Sequence, residues 1–227
     1  MRGESPSRGL VKNLDIVYED DSCIVVNKPA GLAVQGGKGI NVSLDDILAA
    51  SFAERPLLVH RLDRDTSGLV LVAKNKSSAA VFAGLFAGAS VKKSYLAVCS
   101  GRPAEDRGTI RLDLEVRGAV KKSETRYRLL EELSGGAFSL LELELGTGRM
   151  HQIRRHLAMA GTPVLGDDRY GDFRLNRELR RTRGLRRLLL HARRLVVPET
   201  PDGPGLDVEA PPPGYFLEFL EAARWPA

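Results

Sequence analysis

Two stretches hold the residue types from which a reaction could be built. In the first, "HRLDRDTSG" at 60–68, Asp63 stands between Arg61 and Arg64. Apolar runs at 57–59 and 69–73 flank it and read as buried strands. A carboxylate in a short connection between two buried strands sits on a rigid mount, which is what a functional group needs. The competing reading is a solvated turn closed by surface ion pairs. Thr66, Ser67 and Gly68 suit a tight turn that another segment can approach closely, and Asp65 reads as a turn or surface residue.

The second stretch is "ELGTGRMHQIRRHLAMAGTPVLGDDRYG", 144–171. A strand ends in Gly146, Thr147 and Gly148, and Arg149 opens a helix over 150–160 with Met150, Ile153, Leu157 and Ala160 on one stripe. Arg154 follows Met150 by four residues and flanks that stripe. A half-buried guanidinium needs a carboxylate or phosphate partner, because unpaired burial of charge is costly. His151 and His156 lie about 140° apart around the helix, so they cannot share a metal as an i, i+4 pair would. The acids of "GDDRYGD" lie in one loop with no phosphate-binding loop to complete a magnesium site.

Other segments must position these two. "LDIVYEDDSCIVVNKPAGLAV" reads as two strands around a turn at 19–22, closed by Pro29 and Gly31. Ser43 followed by Asp46 opens a short helix with a capping-box pattern. An Ala-rich amphipathic helix follows at 76–89 and a strand at 92–101. Period-two alternation at 108–116, 123–133 and 137–146 predicts antiparallel strands with one wet face. "RRLLLHARRLVV" reads as a late strand and "PGYFLEFLEAA" as a closing helix. Segments 174–187, with seven arginines, and 198–213, rich in Pro and Gly, read as irregular. Strands interleaved with helices predict one α+β domain over 14–227 after a loose segment at 1–13.

Composition excludes several classes. The 227 residues are 43% hydrophobic, enough for a core and too many for global disorder. Lys and Arg exceed Asp and Glu by 34 to 29, a modest basic excess that is compatible with a polyanionic partner. Two cysteines, Cys23 and Cys99, sit beside apolar runs and read as buried thiols rather than metal ligands. No apolar run approaches a membrane span and the first ten residues lack a signal-peptide core, so a soluble cytoplasmic protein is expected. His60 and His191 read as satisfied core histidines, Tyr95 as a core strand tyrosine, and Lys28 as a pocket-floor residue or an RNA contact.

Four stretches in order resemble the RluA-type pseudouridine synthases: "YEDDSCIVVNKPAGLAV", "LVHRLDRDTSGLVLVAKN", "KKSYLAVCSG" and "TGRMHQIRRHLAMAGTPVLGDDRYG". "LLLHARRL" is a weaker fifth. The resemblance runs from Leu14 to about Val197. It implies a pseudouridine synthase fold with a mixed, mainly antiparallel sheet, and an isomerase that converts uridine in RNA to pseudouridine. Asp63 matches the catalytic aspartate and Tyr95 the tyrosine that stacks on the target base. Arg154 matches the arginine that pairs with the catalytic carboxylate, Ile153 the aliphatic residue closing the pocket, and Arg61 a residue that helps displace the base. Arg149, His151 and Gln152 would face RNA or serve structure.

The resemblance implies no metal and no cofactor, since moving a base from nitrogen to carbon on one sugar needs only a placed carboxylate and a pocket that retains the base. It implies RNA as partner, 23S ribosomal RNA before transfer RNA, and a monomer. Many relatives carry an S4 domain before the catalytic pattern, which here begins within the first fifteen residues. The family's "HP" after the LHA motif is replaced by "VVPETPDGPG". A catalytically idle RNA-binding module and a metal-dependent hydrolase built on the Asp pairs are the alternatives.

Overall fold

Alternating apolar residues bring the first two strands together. β1 (Asp15–Glu19) and β2 (Cys23–Lys28) pair antiparallel. Asp20 closes their turn, its carboxylate accepting from the backbone N–H groups of Ser22 and Cys23 and from the Ser22 and Tyr18 hydroxyls. The structure is a computed structural model that describes residues 14–116, 118–201, 203 and 205–225, so the segment 1–13 lies outside the described residues.

The chain divides into two compact units, of which the first holds 14–91 and Arg194–Ala210. Helix α1 (Leu44–Ser51) starts at the expected capping box: the Ser43 hydroxyl accepts from the Asp46 N–H, and the Asp46 carboxylate accepts from the Ser43 N–H. β3 (Leu57–Leu58) and β2 both pair with β4 (Ser67–Ala73). Every residue of β4 is buried, as the apolar run 69–73 predicts; Ser67 and Gly68, expected in a tight turn, already belong to the strand, where Gly68 pairs with Lys28. β3 is shorter than the expected 57–59 and only half-buried. The reason is His60, whose Nε2 accepts from the Leu71 N–H at 2.8 Å, so an imidazole takes the amide a longer strand would use. Helix α2 (Lys76–Ala87), capped by Asn75, lays Phe82, Leu85 and Phe86 on a core of Val25, Leu69, Leu71, Leu195 and Val197.

The second unit holds Lys92–Arg193 and 211–225. Its strands are β5 (Lys92–Ser100), β6 (Arg107–Arg111), β7 (Leu114–Val116), β8 (Ala119–Lys121), β9 (Glu124–Leu133) and β10 (Phe138–Leu145). They run β5-β10-β9-β6, antiparallel throughout, with β7 and β8 as a separate hairpin. The single strand expected at 108–116 is thus two. It breaks at Leu112, whose carbonyl accepts from the Ser123 hydroxyl and lies 3.1 Å from His156 Nε2.

Helices α3 (Gln152–Met159) and α4 (Phe173–Thr182) follow, then β11 (Leu190–Val197). β11 begins in the second unit and ends in the first, where it pairs with β12 (Leu206–Glu209). Helix α5 (Gly214–Ala223) closes the second unit, burying Phe216, Phe219 and Leu220 with Leu96, Val98, Phe138 and Leu179. The architecture is the expected α+β one with a mainly antiparallel sheet.

Two segments expected to be irregular contain ordered elements. Residues 174–182 of the arginine-rich stretch belong to α4, because arginine is a good helix former and Leu175 and Leu179, four apart, give it an apolar side, while 183–187 is irregular as expected. Part of the Pro/Gly-rich stretch is β12, held by register with β11. Helix α3 is shorter than the expected 150–160. His151 has φ +53, outside helical geometry, so Met150 precedes the helix and is 57% exposed, and Ala160 is its exposed cap.

Candidate functional site

Asp63 is mounted as the flanking strands require. Its neighbour Leu62 and, three residues on, Thr66 are buried, while Asp63 itself is half-buried and Arg61, Arg64 and Asp65 are exposed. The Thr66 N–H donates to the Asp63 carbonyl at 3.2 Å, closing the turn. His60 ties the start of the loop to β4 and stacks on Phe86 with ring centroids 4.2 Å apart.

The same turn is bolted to the "NKPAG" segment. The Arg64 carbonyl accepts from the Gly31 N–H at 2.8 Å and from Lys28 Nζ at 3.1 Å, and Arg64 Nε returns to the Gly31 carbonyl at 3.1 Å. Gly31 has φ +91, a conformation that a side chain would strain. Lys28 donates also to the carbonyls of Pro29 (3.0 Å) and Leu32 (2.8 Å), so all three ammonium protons are engaged. Register places Lys28 opposite Gly68, directly after the charged loop. Burial pushes its amine down from 10.5 to about 8, against the pull of the Asp65 and Asp63 carboxylates. Of the two roles the sequence left open for Lys28, the structure shows the supporting one.

In the second unit, Tyr95 lies on β5 opposite Leu143 and is 7% exposed. Arg154 and Ile153 sit on the first turn of α3, both buried. The buried arginine has a carboxylate: Nε and Nη2 of Arg154 donate to the two oxygens of Asp167 at 2.7 and 2.8 Å. Burial alone would raise the Asp167 carboxyl. Hydrogen bonds from Arg154 and from the Tyr170 and Arg169 N–H groups outweigh it and hold the group below the usual carboxylate range.

The "GDDRYG" loop is shaped around this pair. Gly166 has φ +78, and a Cβ there would meet the Arg187 carbonyl oxygen at 2.2 Å. Asn176 of α4 accepts from the Gly166 N–H and donates to the Asp167 carbonyl. The Tyr170 ring lies 5.3 Å from the Arg154 and Arg169 guanidinium carbons. The acids weighed as magnesium ligands have other partners: Asp167 holds Arg154, Asp168 pairs with Arg180, and Asp172 caps α4. Among the described residues, no group of three or more His, Cys, Asp or Glu side chains could hold a metal ion.

Arg149 is exposed in the turn before α3, donating weakly to the Lys122 carbonyl at 3.5 Å. His151 keeps its left-handed backbone at an energetic cost of order 1–3 kcal/mol, and its Nδ1 lies 3.1 Å from the Tyr170 hydroxyl. Gln152 is structural: its Oε1 accepts from Thr147 Oγ1 and the Arg149 N–H, and its Nε2 reaches the Glu124 carbonyl and Thr125 Oγ1. His156 is buried against Thr125 and Ser123, each 2.9 Å away.

Sequence reasoning missed Asp167, Tyr170 and Asn176 as parts of this framework. The need of Arg154 for an anion was the signal that pointed to Asp167.

The family model for RNA pseudouridylate synthase matches residues 22–159. The chain is 38% identical over 219 residues to ribosomal large subunit pseudouridine synthase C of Rickettsia bellii, covering 88% of this chain and 69% of that protein. It is 40% identical over 225 residues to the same-named protein of Rickettsia felis, covering 91% and 70%. Among solved structures, human RNA pseudouridylate synthase domain containing 4 is similar at a TM-score of 0.82 and 27% identity, over 97% of this chain and 98% of that one.

Proposed function

The chain belongs to the RNA pseudouridylate synthase family, and from that premise we propose that it isomerises uridines of large-subunit ribosomal RNA with Asp63 as the essential carboxylate. The reaction breaks the bond from the base nitrogen to the ribose and joins the same base through carbon, with no net loss or gain of atoms. The observation that carries the role of Asp63 is its mount: a half-exposed carboxylate whose backbone is tied by buried neighbours and by the Lys28 contacts to the Arg64 carbonyl.

Tyr95 offers its ring to the displaced base, as aromatic residues do for unstacked nucleotides. Ile153 supplies an apolar wall. Arg154 is a fixed cation whose rotamer Asp167 sets. Arg61, Arg149 and His151 contact RNA. Residues 14–227 act as one catalytic domain, a monomer in the cytoplasm; no helix among the described residues is long and apolar enough to cross a membrane. The names of the relatives support ribosomal RNA over transfer RNA.

Incubating unmodified 23S ribosomal RNA and unmodified transfer RNA transcripts with the protein, then mapping pseudouridine, tests this. Modification of the ribosomal transcript is expected. Modification of transfer RNA alone would replace the substrate, and binding without modification of either would leave only an RNA-binding module.

Lys28→Met is expected to lower turnover more than tenfold, because the carbonyls that hold the Asp63 turn lose their donor. Wild-type turnover should fall as pH rises through about 8, where the ammonium loses its proton. That fall does not come from unfolding through this group. Between about 8 and 10.5 the unfolded chain holds a proton the folded chain has released, so the contribution of Lys28 to stability rises with pH. Turnover that stays flat to pH 9, or an active Lys28→Met protein, would remove Lys28 from this role.

A further inference from the structure

The arginines of α4 and of the segment that follows it divide into two sets. Arg180 pairs with Asp168 at 2.6 Å, and Arg183 donates to the carbonyls of Ala222 (2.6 Å) and Trp225 (3.0 Å). Arg186 lies 3.7 Å from Glu218. These are engaged within the fold. Arg174, Arg177 and Arg181 are exposed and make no ion pair among the described residues.

Helical geometry makes them a row. With 3.6 residues per turn the three fall within about 60° of arc and span about 10 Å along the axis. Leu175, Asn176 and Leu179 form the inward side of α4, roughly opposite that arc. Glu178 is the one acid between 174 and 187, and it pairs with none of them. A solvated helix face ordinarily mixes both signs; three guanidinium groups in line repel one another unless an anion runs past them. At the start of the same helix Phe173 is 57% exposed, one turn before Arg177. Guanidinium groups suit phosphate oxygens, and an exposed ring beside them suits an unstacked base.

We propose that this outward face of α4 grips the phosphate backbone of the substrate RNA, with Phe173 as a stacking platform beside it. The proposal rests on the substrate being RNA. It also explains why the face is stiffly mounted. Asn176, on the other side of α4, binds the loop carrying Asp167, which in turn holds Arg154, so RNA gripped here is held by the framework that orients Arg154.

The test titrates full-length protein onto unmodified 23S ribosomal RNA transcript at several salt concentrations. For R174A/R177A/R181A, the slope of log affinity against log salt should lessen by about 2 to 3, from ~0.7–0.9 for each phosphate contact removed. Affinity at low salt should fall at least about tenfold. Phe173→Ala should weaken binding without changing the slope.

R102A/R111A/R128A removes the same charge from arginines of this unit that are paired with acids, and should keep the wild-type slope. Wild-type slope and affinity in the α4 variant would overturn the proposal. So would an equal change in the control, which would make net charge the cause. If alanine truncation lowers the unfolding temperature, the Arg→Gln triple keeps the aliphatic stems and must give the same change in slope. Pseudouridine formed by the wild type on this RNA is measured separately, so failure of the grip leaves the reading of the reaction standing.

Discussion

Asp63→Asn should abolish pseudouridine formation, by at least about 10³-fold if the carboxylate moves a proton or forms a covalent bond in the rate-determining step. The amide is nearly isosteric. The substitution keeps the bonds made by backbone atoms of the turn: the Asp63 carbonyl accepts from Thr66, and the Arg64 carbonyl accepts from Gly31 and Lys28. Fold and RNA affinity should therefore stay close to wild type. Tritium release from RNA labelled at the uracil ring measures the reaction, and calorimetry and titration measure the rest. Asp65→Asn, in the same turn but exposed, should lose little. Turnover of Asp63→Asn within tenfold of wild type would move the chemistry to another residue.

Arg154→Ala should damage stability and turnover together. It leaves the Asp167 carboxylate, 1% exposed at its side chain, with the Arg169 and Tyr170 amides and without the guanidinium. Breaking a buried pair from one side typically costs about 3–5 kcal/mol, which for a chain of this size lowers the unfolding temperature by roughly 10 °C. The pair also sets a pH dependence. The Asp167 carboxyl is held below its ordinary range, so its stabilisation is present above the unfolded-state pKa of about 3.9. It is lost as pH falls through the lower folded value. Asp167→Asn should remove that acid-side contribution, and in a double-mutant cycle the Arg154→Ala and Asp167→Asn losses should not add. Additive losses, or an Arg154→Ala protein as stable and active as wild type, would show that the pair orders nothing.

The sequence by itself determined most of what is local. The capping box at Ser43 and Asp46, the buried run 69–73 and the alternation of β9 follow from spacing, because period and capping chemistry act over a few residues. The segments around Asp63 and Arg154 were legible too. Dense charge between apolar strands is costly without a purpose, and the family pattern supplied the purpose.

What depends on distant partners was decided only by tertiary structure. The arginine-rich stretch looked irregular because Leu175 and Leu179 acquire value only once Phe216 and Phe219 cover them. Met150 looked like part of a helix stripe until the left-handed backbone of His151 excluded it. Lys28 could be a floor or an RNA contact until three carbonyls, one of them 36 residues away at Arg64, claimed its protons. Arg154 announced a need for an anion, and the family pattern named Asp63. That the Asp167 carboxylate grips the guanidinium depends on a turn closed by Gly166 and held by Asn176 from the next helix. A buried charge fixes the kind of partner it requires, whereas which residue arrives within 3 Å is set by how the backbone is folded around it.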